Sequence, residues 1–186
     1  MTQAALPAFS LLILAGGRAT RMHGVDKGLV LWQGQPFVAH IVARIHSDDV
    51  VISCNRSFAD YQRYGRVIAD LNPDFAGPLA GMAAGLPLCQ HDWVLVVACD
   101  MPCLPVNLFE RLWYALDDKQ IAVAHDGQRV QPLCVLLHRS LVDDIAATVA
   151  QGQAAVHRWI NRHPHTVVIF DDESAFRNIN TLAELE

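Results

Sequence analysis

The chain has 186 residues, with 14 Lys+Arg against 19 Asp+Glu and a formal net charge of −5. Hydrophobic residues make up 52% and charged residues 18%, which excludes a disordered chain and leaves one domain with a sizeable buried core as the expectation. The mild acidity excludes a general nucleic-acid binder, and the longest apolar runs, 11–15 and 93–99, fall short of the ~18 residues that would span a membrane.

Residues 4–15 have the apolar look of a signal-peptide core, but no Lys or Arg precedes Arg18. The basic flank is therefore missing, and the segment reads as a first buried strand over 10–15. Further short runs rich in β-branched residues lie at 50–53 (VVIS), 67–69 (VIA) and 93–99 (WVLVVAC). None alternates with polar residues, as expected of strands covered on both faces in a parallel sheet. Between them, 37–45, 57–64 and 79–88 are helix-compatible, and 105–116 reads as a helix opened by Pro105. The last third predicts strands at 121–124, 132–137 and 166–170 and helices at 141–150 and 155–161. Gly34 and Gly127 mark tight turns. Strands alternating with helices make this an α/β chain with crossover connections.

Five cysteines (Cys54, Cys89, Cys99, Cys103, Cys134) form no C-x-x-C pair. An odd number in apolar surroundings predicts buried, reduced thiols and a cytoplasmic setting. Nine histidines and four tryptophans are scattered along the chain. Even the densest histidine group, His157, His163 and His165, lacks metal-ligand spacing, so surface or capping roles are expected.

In an open α/β sheet, ligands bind beyond the carboxyl ends of the strands, and three predicted strand exits carry unusual residues. The first reads Leu14-Ala15-Gly16-Gly17, followed by Arg18, Arg21 and Asp26-Lys27. Paired glycines let backbone N–H groups approach phosphate oxygens. Only two lysines stand against twelve arginines, so Lys27 is not this chain's routine surface cation. The loop matches neither a P-loop nor G-x-G-x-x-G. The second exit ends in Cys99-Asp100-Met101-Pro102, where Asp100 reads either as a carboxylate for a divalent cation or as a stabiliser of the turn. The third ends at Asp70 and is followed by Gly77-Pro78-Leu79-Ala80-Gly81, small residues suited to a flat heterocycle read through main-chain hydrogen bonds.

Together with Asn55-Arg56 and Asn178-Ile179-Asn180-Thr181, these motifs occur in an order that resembles the molybdenum cofactor guanylyltransferase (MobA) family of nucleotidyltransferases. The resemblance runs from residue 11 to about 186 and is made specific by GPLAG and the N-x-N-T end. It implies a Rossmann-like, GT-A-type fold with a mostly parallel central sheet flanked by helices. It also implies one nucleotidyltransferase domain over 1–186, with a nucleotide-binding part at about 10–104 and a cofactor-binding part at about 105–186. The implied activity joins GMP from GTP to the terminal phosphate of molybdopterin, with Mg²⁺ as the metal. Leu14, Ala15, Gly16, Gly17, Asn55, Asp70, Gly77, Pro78 and Leu79 would meet the nucleotide. Lys27 and Arg21 would serve its phosphates, and Asp100 would meet both metal and nucleotide. The family's N-x-N-R stands here as Ser53-Cys54-Asn55-Arg56, so Ser53 and Asn55 compete for the nucleotide contact, with Asn55 favoured.

Asp126, Arg129, Asn178 and Asn180 are the expected contacts to the molybdopterin, although Asp126-Gly127 also reads as a hairpin turn and the Asn pair as helix caps. Transient contact with molybdopterin-handling and molybdoenzyme-maturation proteins is implied, with no nucleic-acid or membrane partner. Two competing readings share these residues: a cytidylyltransferase acting on the same cofactor, distinguished at Asp70 and 77–81, and a nucleotide-binding partner protein without turnover.

Overall fold

The computed structural model describes residues 5–16, 26–69 and 77–179. In chain order, β1 (Ser10–Leu14) leads through a one-turn 3-10 helix, Lys27–Leu29, to a hairpin of β2 (Leu31–Trp32) and β3 (Gln35–Pro36). Gln33 and Gly34 connect these two strands with φ values of 50° and 80°, both positive as a two-residue hairpin loop requires. Then follow α1 (Phe37–Arg44), β4 (Asp49–Ser53), α2 (Phe58–Tyr61), β5 (Arg66–Ile68) and α3 (Pro78–Gly85). The second half holds β6 (Trp93–Ala98), α4 (Leu108–Tyr114), β7 (Ile121–His125), β8 (Val130–His138), α5 (Val142–Ala150), α6 (Val156–Ile160) and β9 (Thr166–Ile169).

Seven strands form one sheet in the order β5-β4-β1-β6-β8-β7-β9. β5, β4, β1 and β6 are parallel neighbours, as their unbroken apolar runs predict. β8 is antiparallel to both β6 and β7, while β7 and β9 are parallel. The direction of β8 was not readable from local pattern. Its Pro132 lies where the β7–β8 register shifts between Val123 and Ala124, the kind of irregularity at which proline enters a central strand.

Alternate residues of β1 serve opposite layers. Leu11 and Ile13 pack with Val38 and Ile41 of α1 and Leu108 and Leu112 of α4. Leu12 and Leu14 pack with Leu79 and Met82 of α3, Ile145 of α5 and Trp159 of α6. The result is a helix–sheet–helix sandwich, the expected α/β class with a mostly parallel sheet.

Three helix expectations change at their ends. The segment 57–64 forms only α2, because Ser57 adopts φ 54°, ψ 32° and the helix ends at Tyr61. Pro105 opens a turn whose carbonyl accepts from Leu108 N at 3.0 Å, and α4 starts only there. Residues 79–88 divide into α3 and a 3-10 turn, Leu86–Leu88, because Pro87 has no N–H to continue an α-helix.

Candidate active site

The chain leaves β1 to build β4 and β5 on one side, then returns to lay β6 on the other, so the strand order reverses between β1 and β6. In open α/β sheets this switch point is where a crevice opens. Leu14 is in register with both Ser53 and Ala98, so the exits of β1, β4 and β6 are level. Backbone bonds continue one step beyond the strands: Ala15 N donates to Ser53 O at 2.7 Å, and Cys99 N to Leu14 O at 3.1 Å. Asp100 and Gly16 are thereby delivered side by side at the switch point.

Lys27 completes this mouth. Its Nζ lies 3.3 Å from Asp100 Oδ2, with side-chain exposures of 26% and 15%. Both groups keep part of their side chains exposed at the mouth, so an incoming polyanion and its counter-cation can reach them. The residues around Lys27 are less free to move. Tyr61 Oη donates to Asp26 Oδ1 at 2.5 Å, and Arg56 Nε stands 3.7 Å from Asp26 Oδ2. The spacing of D-K singled out Lys27 and assigned nothing to Asp26, whose carboxylate is buried. No local signal in the sequence links it to Tyr61.

At the exit of β4, Ser53 is buried beneath α3 while Asn55 is exposed, which separates the two competing side chains. The GPLAG segment has a packing reason as well as a chemical one. A Cβ on Gly81 would come within 2.9 Å of Ser53 Oγ and 3.1 Å of Leu14 Cδ2, and one on Gly77 within 2.7 Å of Ala154 Cβ. Gly81 lets α3 sit directly on the sheet beside the mouth, and Gly77 lets the start of the helix approach the connection between α5 and α6. Leu79 is wholly buried and Pro78 exposed, so Leu79 has only main chain to offer a ligand. Leu14 and Ala15 are buried likewise.

Because β8 is antiparallel to its two neighbours, β7 and β9 point the same way as β6, and their exits share the edge that carries Asp100. The β7–β8 turn is a hairpin shaped by Asp126, whose Oδ1 accepts from Gln128 N and Arg129 N, both at 2.8 Å, and whose Oδ2 accepts from Gln131 Nε2 at 2.5 Å. Its carboxylate is thus committed to the turn, and Arg129, with its side chain 73% exposed, stands out from it. Beyond β9, Ile179 N donates to the Asp100 carbonyl at 2.9 Å, and the Ile179 side chain packs with Val30 and Phe37. This brings Asn178 to the mouth across a long span of chain. Ile179 was missed because the motif drew attention to its two polar neighbours. Gly17, Arg21, Asp70 and Asn180 lie outside the described residues.

The cysteines are all free, four of them buried. His138 caps the turn after β8 by accepting from Ser140 N, and His163 pairs with Asp144. Among the described residues no group of three potential ligands could hold a metal by itself, and no helix is long and apolar enough to cross a membrane.

A mostly parallel sheet with a cation–carboxylate pair at its switch point is the frame of a nucleotidyltransferase fold. Solved structures agree on that fold. Molybdopterin-guanine dinucleotide biosynthesis protein A from Archaeoglobus fulgidus superposes with a TM-score of 0.76 at 23% identity, covering 95% of this chain and 94% of its own. A nucleotidyl transferase from Methanothermobacter thermautotroptrophicus does so with a TM-score of 0.76 at 16% identity, covering 95% and 94%. More particularly, the chain belongs to the family of the MobA-like NTP transferase domain, which matches residues 11–167. Two relatives named molybdenum cofactor guanylyltransferase are similar along nearly their whole length. The one from Ralstonia nicotianae is 43% identical over 94% of this chain and 92% of its own, and the one from Burkholderia orbicola 45% over 100% and 97%.

Proposed function

We propose that this chain transfers GMP from GTP to the terminal phosphate of molybdopterin, releasing pyrophosphate and giving the guanine dinucleotide form of the molybdenum cofactor. The observation that carries the reading is the Lys27–Asp100 pair at the β1/β6 switch point, in a chain whose full-length relatives carry the guanylyltransferase name.

In this reading the nucleotide lies across the mouth. Leu14, Ala15, Gly16 and Gly17 pass along the phosphates, Asn55 reaches the nucleotide from the exit of β4, and Asp70, Gly77, Pro78 and the Leu79 main chain surround the guanine. Lys27 exchanges the Asp100 carboxylate for triphosphate oxygens, and Arg21 is assigned to the same phosphates. Asp100 is then released to a divalent cation. One hard, part-exposed carboxylate suits Mg²⁺, which characteristically takes one or two carboxylates and completes its shell with phosphate oxygens and water. When bound there, the ion would neutralise charge on the α-phosphate and the departing pyrophosphate.

The attacking oxygen belongs to the molybdopterin phosphate. A bond forms from it to the α-phosphorus of GTP, and the bond from that phosphorus to the bridging oxygen breaks. A phosphate monoester has a second pKa of about 6 and is largely dianionic at neutral pH, so no side chain has to remove a proton. What the protein supplies is positioning of two anions and preorganised positive charge. Arg129, on the turn organised by Asp126, and Asn178, brought to the mouth by the bond from Ile179 N to the Asp100 carbonyl, face the molybdopterin, and Asn180 is assigned to the same substrate. Residues 10–104 form the nucleotide part of a single domain and 105–186 the cofactor part. The five free thiols suit a reducing cytoplasm, and hand-over contacts to molybdopterin-handling and molybdoenzyme-maturation proteins are transient.

Lys27→Ala and Asp100→Ala should each lower kcat for GTP-dependent pyrophosphate release by about 10²–10³-fold, the scale of removing one preorganised charge from the reacting phosphates. Near-normal kcat in either variant overturns this mechanism. Thermal shifts should show GTP with Mg²⁺ stabilising the protein by about 2.7 kcal/mol at 100 times its Kd. A larger shift with CTP would move the base preference to cytosine.

A further inference from the structure

Tyr61 is among the largest wholly buried side chains of the protein, placed at the last residue of α2. It spends its one polar atom on Asp26, itself buried, donating from Oη to Oδ1 at 2.5 Å. A carboxylate held away from water is costly unless charged or polar neighbours compensate it. Here the compensation is this charge-assisted hydrogen bond together with Arg56 Nε at 3.7 Å from Oδ2. Oδ2 has no hydrogen-bond partner among the described residues.

The residue on the other side of Lys27 meets the same ring. Gly28 lies so close to Tyr61 that a Cβ at this position would run into the hydroxyl and the adjacent ring carbons. Residues 26 and 28 are therefore both seated on Tyr61, one by a hydrogen bond and one by contact. The short turn is closed by Leu29 N donating to Asp26 O at 3.0 Å and Val30 N to Lys27 O at 3.2 Å. Lys27 leaves this clamped backbone toward Asp100, 3.3 Å away. Burial, with the neighbouring Cys99 and Asp26 adding to it, pushes the Tyr61 phenol well above its ordinary range, so the hydroxyl stays a donor wherever the protein is folded.

We propose that Tyr61 is the positioning residue for Lys27. Through Asp26 on one side and Gly28 on the other, it fixes the backbone from which the ammonium reaches the triphosphate. A lysine side chain has substantial rotamer entropy to lose, and a rigid origin removes the backbone share of the ordering that binding would otherwise require. The inference rests on the reading of Lys27 as a phosphate ligand, and it assigns no contact between Tyr61 and the substrate.

Tyr61→Phe keeps the ring and removes only the hydroxyl. A double-mutant cycle with Lys27→Ala separates positioning from bulk structure. The readouts are kcat for pyrophosphate release from GTP, Mg²⁺ and molybdopterin, and the Kd for GTP with Mg²⁺. The Kd keeps the cycle measurable where Lys27→Ala leaves too little turnover. Tyr61→Phe should lower kcat or raise the Kd about tenfold in the otherwise unaltered protein and less than about twofold in the Lys27→Ala background. Asp26→Asn, which still offers an oxygen to the hydroxyl, should retain more activity than Asp26→Ala. Equal losses from Tyr61→Phe in both backgrounds would assign the hydroxyl to general stability and overturn the proposal. So would an unaltered Tyr61→Phe protein alongside an impaired Lys27→Ala, which leaves the phosphate role of Lys27 standing. Wild-type kcat and Kd in Lys27→Ala would remove the phosphate role and the positioning role together.

Discussion

Asp49 shows what single residues do at the edge of the sheet remote from the mouth. It begins β4, is buried, and accepts from Ser10 Oγ at 2.5 Å, from Gln90 N at 2.8 Å and from Arg66. Burial by itself would raise its pKa, but these three donors outweigh that and hold it below the usual carboxylate range. A lowered folded-state pKa contributes stability that is complete above the unfolded value of about 3.9 and is lost as pH falls through the folded value. Asp49→Asn should therefore lower stability at pH 7 by about 1–3 kcal/mol, since it weakens interactions with donors placed for a carboxylate. It should also flatten the loss of stability between pH 4 and lower values. Urea unfolding of both proteins at pH 7 and pH 3 tests this: an unaltered acid limb in the variant would show that Asp49 does not carry the dependence. The site differs in kind. In the proposed function, Lys27 and Asp100 are groups that part when a ligand arrives.

Among the elements, α3 is the one whose sequence carries the most meaning. Its motif was legible as GPLAG, but the sequence did not show that Gly81 is where the helix rests on Ser53 and Leu14. A methyl group there must displace a buried hydroxyl or a β1 side chain, and overpacking of that sort costs about 1–3 kcal/mol. Gly81→Ala should lower the urea midpoint by a corresponding amount and reduce the GTP-induced thermal shift, because Pro78 and the start of the helix would move off the mouth. A variant as stable as the original, with its shift intact, would deny the close seating. The helix ends misread from sequence have local causes. Pro105, expected to open a helix, opens a turn ahead of α4, and Pro87, inside the segment expected to be one helix, ends α3 in a 3-10 turn. Proline tolerates each of these settings, and its φ alone does not separate them.

At the scale of the whole molecule, the two proposed parts share their interior. One core cluster joins Leu11, Ile41 and Val97 to Leu108, Ala122 and Phe176, and the other joins Leu12 and Leu79 to Val135 and Trp159. β6 is paired with β8 from Trp93 to Val97, so ending the chain at 104 would expose a central strand and half of each layer. Urea unfolding of the complete chain should be a single transition, coincident by circular dichroism and tryptophan fluorescence. Trp93 and Trp113 pack at one layer and Trp159 in the other, so fluorescence samples both. A fragment of residues 1–104 should show no cooperative transition and no stabilisation by GTP. A folded, GTP-binding fragment would replace the single domain with two.

Features that depend on neighbouring residues were legible beforehand. Of the four parallel strands, β1, β4 and β6 were readable because a strand covered on both faces needs an uninterrupted apolar run, and β5, at the edge, kept only a short one. The loops at their ends were readable because phosphate chemistry draws on a small set of residue types, and the family resemblance then fitted the order of those loops to one reaction. Strand order, the reversed direction of β8, the seat of Asp26 on Tyr61 and the bond from Ile179 to the Asp100 carbonyl were not readable. Tyr61 and Asp26 are 35 residues apart, and no periodicity or turn signal relates positions so separated. Such contacts arise only when helices have packed on both faces of the sheet and the strand ends have come level. The residue types able to do the chemistry are thus written locally, whereas their positions relative to one another follow from packing, which acts between segments that the sequence keeps far apart.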